Sequence, residues 1–189
     1  MINWSRHTNT SLAVHQLHLQ GVIAYPTEAV WGLGCDPFSF SAVKKILHLK
    51  NRPEHNGVIL IACDWQQFAL FTEGLTGGQL GRLQQPNSKP TTWLIPHNGV
   101  APDWIVGGHD TLAVRVTTHP VAACLCRLFG GPIVSTSANP QGLSEATNAL
   151  KVRGYFGRNI DAITSGTTGS ASAPSEIRHL LSGRVMRKG

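Results

Sequence analysis

Four short segments place polar side chains where an apolar chain has no structural need of them. Leu49-Lys50-Asn51-Arg52-Pro53 sets two cations two residues apart, running into a proline. Such cations can satisfy the last carbonyls of a helix. They can equally clamp a phosphate, Lys50 as a point charge and Arg52 as a bidentate fork. Leu112-Ala113-Val114-Arg115-Val116, preceded by Asp110 and Thr111, sets a guanidinium inside an apolar run. An isolated buried charge is too costly, so Arg115 must either pair with a carboxylate or face a cavity. The chain has only 10 Asp and Glu residues, and the nearest, Asp110, falls outside the strand. That favours a ligand carboxylate over an internal salt bridge, with Arg115 facing a water-filled cavity.

The other two segments offer oxygen atoms. Thr27 and Glu28 follow Pro26 within Tyr25-Pro26-Thr27-Glu28-Ala29-Val30-Trp31-Gly32-Leu33-Gly34, where Gly32 and Gly34 let backbone approach a ligand. A Pro-Thr-Glu turn also suits a helix cap. Ser135-Thr136-Ser137-Ala138-Asn139 groups three hydroxyls and an amide at a strand end. Open α/β sheets bind ligands beyond such ends, although Ser and Asn also organise turns. No GxxxxGK(S/T) motif is present, and no GxGxxG follows a strand. A nucleotide would therefore be held by neither a P-loop nor a Rossmann turn.

These segments need strands and helices to position them. Thr10 or Ser11 can cap a helix carrying Leu12, Val14, Leu17 and Leu19, which Gly21 ends. Strands are expected at 21–27, 58–63, 91–96, 111–116 and 132–138, each apolar and bounded by turn residues. Ser39 or Ser41 opens a helix through Val43, Ile46, Leu47 and Leu49. Residues 119–131 have the proline entry and glycine exit of another. EIRHL and RVMRK flank Leu181-Ser182-Gly183 as a hairpin, and 166–175 reads as a mobile loop. The alternation indicates a single α/β domain with a twisted, mixed sheet.

Composition narrows the partners. At 189 residues, a single domain buries about 70% of its unfolded surface and needs no disulfide or metal to stay folded. Only 14% of residues are charged, against an average of roughly 25%. Within that set Lys and Arg outnumber Asp and Glu by 16 to 10, which suits anionic partners such as nucleotide, pyrophosphate or RNA backbone. Cys35, Cys63, Cys124 and Cys126 form no CxxC pair and no zinc pattern, so they are expected to be small core residues in a reduced, cytoplasmic protein. Nothing approaches 18 consecutive apolar residues, so no membrane span is expected.

Taken together, AYPTEAVWGLGCDP (24–37), LKNRP with GVILIA (49–62), DTLAVRVTTHP (110–120), PIVSTSANPQG (132–142) and APSEIR (173–178) resemble the YrdC/TsaC family of threonylcarbamoyl-AMP synthases. Order and spacing agree from about residue 10 onward, in the manner of the short bacterial form. The resemblance implies an α/β sheet rolled around a basic concave surface. It also implies a reaction of L-threonine, bicarbonate and Mg²⁺-ATP giving threonylcarbamoyl-AMP and pyrophosphate. Threonylcarbamoyl-transferase proteins then act on tRNAs that read codons starting with A. Transferred residue by residue, Thr27, Arg115, Ser135 and Ser175 would surround threonine. Lys50, Arg52, Thr111, Ser137, Asn139 and Arg187 would surround ATP, with Lys50 and Arg52 catalytic by neutralising phosphate charge. No protein metal site is implied.

The chain departs from the family pattern in three places. Asn56 stands where a second Lys is usual, Pro86-Asn87-Ser88-Lys89-Pro90-Thr91-Thr92 replaces W-P-G-P-x-T, and Pro174-Ser175-Glu176-Ile177-Arg178 replaces Ser-Thr-Val-Val-Asp. A different class of function, a non-catalytic module for double-stranded RNA such as a ribosome-maturation factor, would also use a basic concave surface. It would not need Thr27, Arg115, Ser135 and Ser175 in one small pocket. A carbamoyl-transfer domain cut from a hydrogenase-maturation protein would share the fold but normally carries acylphosphatase and zinc-finger segments.

Overall fold

One chain order builds both a core and an open wall on the same sheet. The computed structural model describes residues 3–171 and 173–189. In order these form α1 (Thr8–His18), β1 (Ile23–Pro26), β2 (Trp31–Gly34), α2 (Phe40–Lys50) and β3 (Ile59–Ala62). There follow α3 (Ala69–Thr72), α4 (Gly77–Gln84), β4 (Thr91–Pro96), α5 (Asp103–Val106), β5 (Thr111–Val116), α6 (Pro120–Phe129) and β6 (Ile133–Ser137). The chain closes with α7 (Ala149–Phe156), β7 (Ala162–Ile163), β8 (Glu176–His179) and β9 (Val185–Arg187).

The strands lie in the order β7-β1-β2-β6-β3-β5-β4-β8-β9. β3 and β5 are parallel, while β3 with β6 and β2 with β6 are antiparallel, so the sheet is mixed as expected. The five long strands and the 176–187 hairpin fall where the apolar runs put them. Residues 166–175, expected as a mobile loop, are irregular chain among the described residues and are tied to the turn after β1. Thr164 donates to Ala24, Gly169 to Thr27 and Ala171 to Glu28 through backbone bonds of 2.9–3.0 Å; Ser172 lies outside the described residues.

Sheet parity separates core from wall. Ile23 and Tyr25 of β1, Ile61 of β3 and Ile133 of β6 pack under α1 and α6 with Ala13, Leu17, Val121 and Leu125. Two residues further along the same faces come Thr27, Ile59 and Ser135, and these border a cavity. β5 alternates likewise: Leu112 and Val114 enter the larger core, while Thr111, Ala113 and Arg115 face the cavity. The opposite sheet face carries that larger core, with Val43 and Ile46 of α2 and Val152 of α7.

One helix end departs from expectation. α1 starts at Thr8 with His7 at its N-cap and no side-chain cap bond, so neither Thr10 nor Ser11 caps it. Thr10 is buried, whereas Leu12 and Leu19 are exposed. Ser39 does cap α2, accepting from the Ala42 amide at 3.4 Å. Among the elements not foreseen, β2 is masked by two glycines in four residues, which weaken a strand signal. Gly34 is not a site of ligand approach: a Cβ there would come within 2.5 Å of the Val134 carbonyl oxygen and 2.8 Å of the Tyr25 ring. Gly34→Ala is therefore expected to destabilise by about 1–3 kcal/mol in urea denaturation, through overpacking against backbone that cannot retreat.

Candidate active site

The strand ends described above enclose a cavity of about 420 Å³, within the range of small-molecule sites. Eight of the ten residues expected around ligands border it: Thr27, Arg52, Thr111 and Arg115, together with Ser135, Ser137, Ser175 and Arg187. Its charged border comprises Arg52, Arg115 and Arg187 against Glu28 and Glu145, leaving a positive excess.

Arg115 is paired, contrary to the expectation of a cation facing water with no carboxylate partner. Its Nη1 lies 3.3 Å from Oε2 of Glu28, and the two side chains are only 10% and 11% exposed. Sequence distance misled here. Glu28 is 87 residues earlier, in the turn after β1, and no local pattern links it to β5. Glu28 is itself anchored: Oε1 accepts from Thr117 Oγ1 at 2.6 Å and from the Thr118 amide at 3.1 Å. Burial raises its pKa, but the Arg115 guanidinium and these hydrogen bonds outweigh that and hold it below the usual carboxylate range.

The hydroxyls form the rest of that wall. Thr27 Oγ1 donates to the Val30 carbonyl at 2.8 Å, which closes the β1–β2 turn and rules out the helix-cap reading. Ser175 Oγ is 2.8 Å from Thr92 Oγ1, and the Ser175 carbonyl accepts from Arg187 Nη2 at 2.8 Å. Ser135 is buried beside Gly32. Burial, then the positive charge of Arg115, lowers the Arg187 pKa.

Lys50 and Asn139, expected around a nucleotide, lie behind the cavity border and contact it through Ser137. Lys50 is buried at the end of α2, where its Nζ donates to the carbonyls of Ser137 and Asn139 and to Asn139 Oδ1. Asn139 Oδ1 also accepts from Ser137 Oγ at 2.6 Å, while its amide nitrogen donates to Pro140 and Leu143 carbonyls. The pair therefore fastens the turn that carries Ser137. Burial, then the Arg52 cation, pushes the Lys50 pKa down to about 8. The Glu145 carboxylate opposes that fall, and the amine still carries its proton at neutral pH.

Neither cation caps its own helix. Backbone amides of Asn51 and Arg52 satisfy His48 and Leu47 instead, with Asn51 left-handed at φ 51°. Arg52 is half-buried, and it braces the next turn through Nε to Gly57 O and Nη2 to Asn56 and Gly57 O. Asn56, where the family usually has Lys, borders the cavity; Lys89 points away and donates to the Gly189 carbonyl at 3.1 Å. His109, Glu145 and the buried His119 belong to the neighbourhood but were not foreseen. His119 Nε2 lies 3.0 Å from the Thr167 carbonyl, and only the HP dipeptide marks it in sequence.

A family profile described as telomere recombination (Sua5_yciO_yrdC) matches residues 15–189. The chain belongs to the Sua5/YciO/YrdC family. Within that family it is 53% identical over 187 residues to a protein of Cellvibrio japonicus named threonylcarbamoyl-AMP synthase, with 99% of each chain covered. The structure of P. abyssi Sua5 complexed with L-threonine superposes with a TM-score of 0.83 at 30% identity. That match covers 90% of this chain and 50% of the archaeal one, so the present chain spans about half the longer Sua5 protein. E. coli YciO shares the fold, with a TM-score of 0.79 at 22% identity, covering 95% of this chain and 88% of that one. Among the described residues, no helix of this family member is long and apolar enough to cross a membrane.

Because Glu28 is the buried partner of Arg115, Arg115→Ala is expected to destabilise by about 3–5 kcal/mol in urea denaturation. Replacing both, as Glu28→Gln with Arg115→Met, should recover most of that loss, since no charge is then stranded. The folded-state pKa of Glu28 is depressed, so its ionisation stabilises the fold above the ordinary value of about 4.3. That contribution disappears as pH falls through the folded-state value. The stability difference between wild type and Glu28→Gln should accordingly shrink below about pH 4 in acid titrations followed by circular dichroism.

Proposed function

We propose that this chain is a nucleotidyl-transferring enzyme that makes threonylcarbamoyl-AMP from L-threonine, bicarbonate and ATP. The observation that carries the reading is the wall combining buried Arg115 with the hydroxyls of Thr27, Ser135 and Ser175. A guanidinium recognises the threonine carboxylate, and short hydroxyls recognise its hydroxyl and amine. The relative named threonylcarbamoyl-AMP synthase and the threonine-bound archaeal structure support the same assignment.

The threonine amine condenses with bicarbonate, releasing water and giving the carbamate. A carbamate oxygen then attacks the α-phosphorus of ATP, the bond to the β-phosphate bridging oxygen breaks, and pyrophosphate leaves. Such a transfer needs alignment of the two oxygens and compensation of phosphate charge more than acid–base catalysis. Arg52 and Arg187 border the cavity and supply that charge, Thr111 and Ser137 supply hydroxyls, and Lys50 with Asn139 hold the Ser137 turn in place. Magnesium would come with the triphosphate. Among the described residues no group of three or more His, Cys, Asp and Glu side chains converges to hold an ion.

The product is an activated threonylcarbamoyl group, which transferase proteins would pass to adenosine in tRNAs reading codons that start with A, in a cytoplasmic setting. A non-catalytic double-stranded RNA module has no use for the enclosed wall of Arg115 and hydroxyls, and nothing in the fold favours it. Pyrophosphate release should require L-threonine, bicarbonate and Mg²⁺ together when the chain is incubated with ATP. ATP turnover undiminished without threonine would overturn the assignment. Serine should be the poorer substrate, since its missing methyl removes about 1 kcal/mol of apolar contact.

A further inference from the structure

Glu28 does no work in the reaction as described, yet it is among the most tightly held groups beside the cavity. Three features define it. Its Oε1 is fixed by Thr117 Oγ1 at 2.6 Å and by the Thr118 amide at 3.1 Å. Its backbone carbonyl accepts from the Ala171 amide at 3.0 Å. Its Oε2 is shut off from solvent and makes no hydrogen bond of good geometry, although Arg115 Nη1 lies 3.3 Å away. Glu28 borders the cavity, but with Oε1 engaged and Oε2 shut off from solvent its carboxylate is turned toward Arg115 and is poised to act through it.

Arg115 needs such a partner. Its Nε is likewise buried without an acceptor, so the protein holds the guanidinium from one side only. The terminal nitrogens are not shut off, and they are what the cavity can use. Left alone on a flexible stem, the fork would sample several rotamers, and ordering it would weaken binding. We propose that Glu28, locked by Thr117 and Thr118, is a positioning residue that presets the Arg115 fork for the threonine carboxylate. This rests on the synthase reading of the same cavity.

Two effects oppose each other when the charge is removed. Deleting the Glu28 charge relieves repulsion on an incoming carboxylate. Against that, Glu28→Gln turns its carbonyl to the donors of Thr117 and Thr118 and leaves its NH₂ facing Nη1. Donor then meets donor, and the guanidinium shifts. Oε2 is screened from the cavity by burial, so the relief is small and the loss of position prevails.

The experiment compares full-length wild type, Glu28→Gln and Thr117→Val in the pyrophosphate assay, varying threonine and ATP separately. Glu28→Gln should raise the threonine KM at least about tenfold, while the ATP KM and kcat at saturating threonine stay within about threefold. Thr117→Val keeps the charges and removes only the 2.6 Å hydrogen bond, so it should raise the threonine KM in the same direction by less. A merely structural role would move both KM values together with thermal stability. An unchanged or lower threonine KM in the folded variants, or a parallel rise for ATP, overturns the positioning role. Should Glu28→Gln fail to fold, Thr117→Val decides alone. Wild-type turnover that ignores threonine overturns the synthase reading and this inference with it. Threonine-dependent wild-type turnover with unmoved variants overturns this inference alone.

Discussion

A permanent positive charge on an inner strand is the constraint around which this fold is arranged. Arg115 sits where β5, having run along the cavity border from Thr111, meets the apolar layer beneath α6, with Ile61 of β3 as its register neighbour. A guanidinium there is tolerable only with a fixed counter-charge and an opening on its other side. The fold supplies the first through the turn after β1, brought across from the far side of β2, β6 and β3. It supplies the second by ending the apolar cover of that sheet face short of Thr27, Ile59 and Ser135.

The same economy governs the other polar residues. Several side chains that resemble ligand contacts in sequence also hold turns. Lys50 fastens Ser137 and Asn139, Arg52 fastens Asn56 and Gly57, and Arg187 holds the Ser175 carbonyl. Arg52 and Arg187 do this while still bordering the cavity, whereas Lys50 does it from beneath. Charge-assisted bonds to backbone carbonyls are stronger than neutral ones, so cations are efficient braces where loops must stay put around a ligand.

Much of this was legible because strand signals are local. Runs such as TTWLIP and TLAVRV are apolar, β-branched and bounded, and they form β4 and β5 with those bounds. The parity that sends Thr111, Ala113 and Arg115 to one face is a property of any strand. What could not be read was long-range partnership. The choice of Glu28 over Asp110 depends on strand order, which no spacing in the chain encodes. The placement of Lys50 and Asn139 depends on how a helix end meets a strand end, and their residue types suit a brace as well as a phosphate contact. α4 escaped notice despite its Thr76–Gln79 capping box, because glycines at 77, 78 and 81 mask helical propensity.

The unbroken passage of β3 and β6 from beneath α6 into the cavity border has a mechanical meaning. Ile133 and Ser135 are on one face of one strand, paired respectively with Ile61 and Ile59. The border therefore shares the stiffness of a close-packed interior and cannot relax independently of it. A methyl group deleted at Ile61 or Ile133 touches no ligand, yet the slack it creates lies one side-chain repeat, roughly 7 Å, from the residues that would bind one. Selection for catalysis in this family would then act on hydrophobic shape far behind the polar groups that perform it.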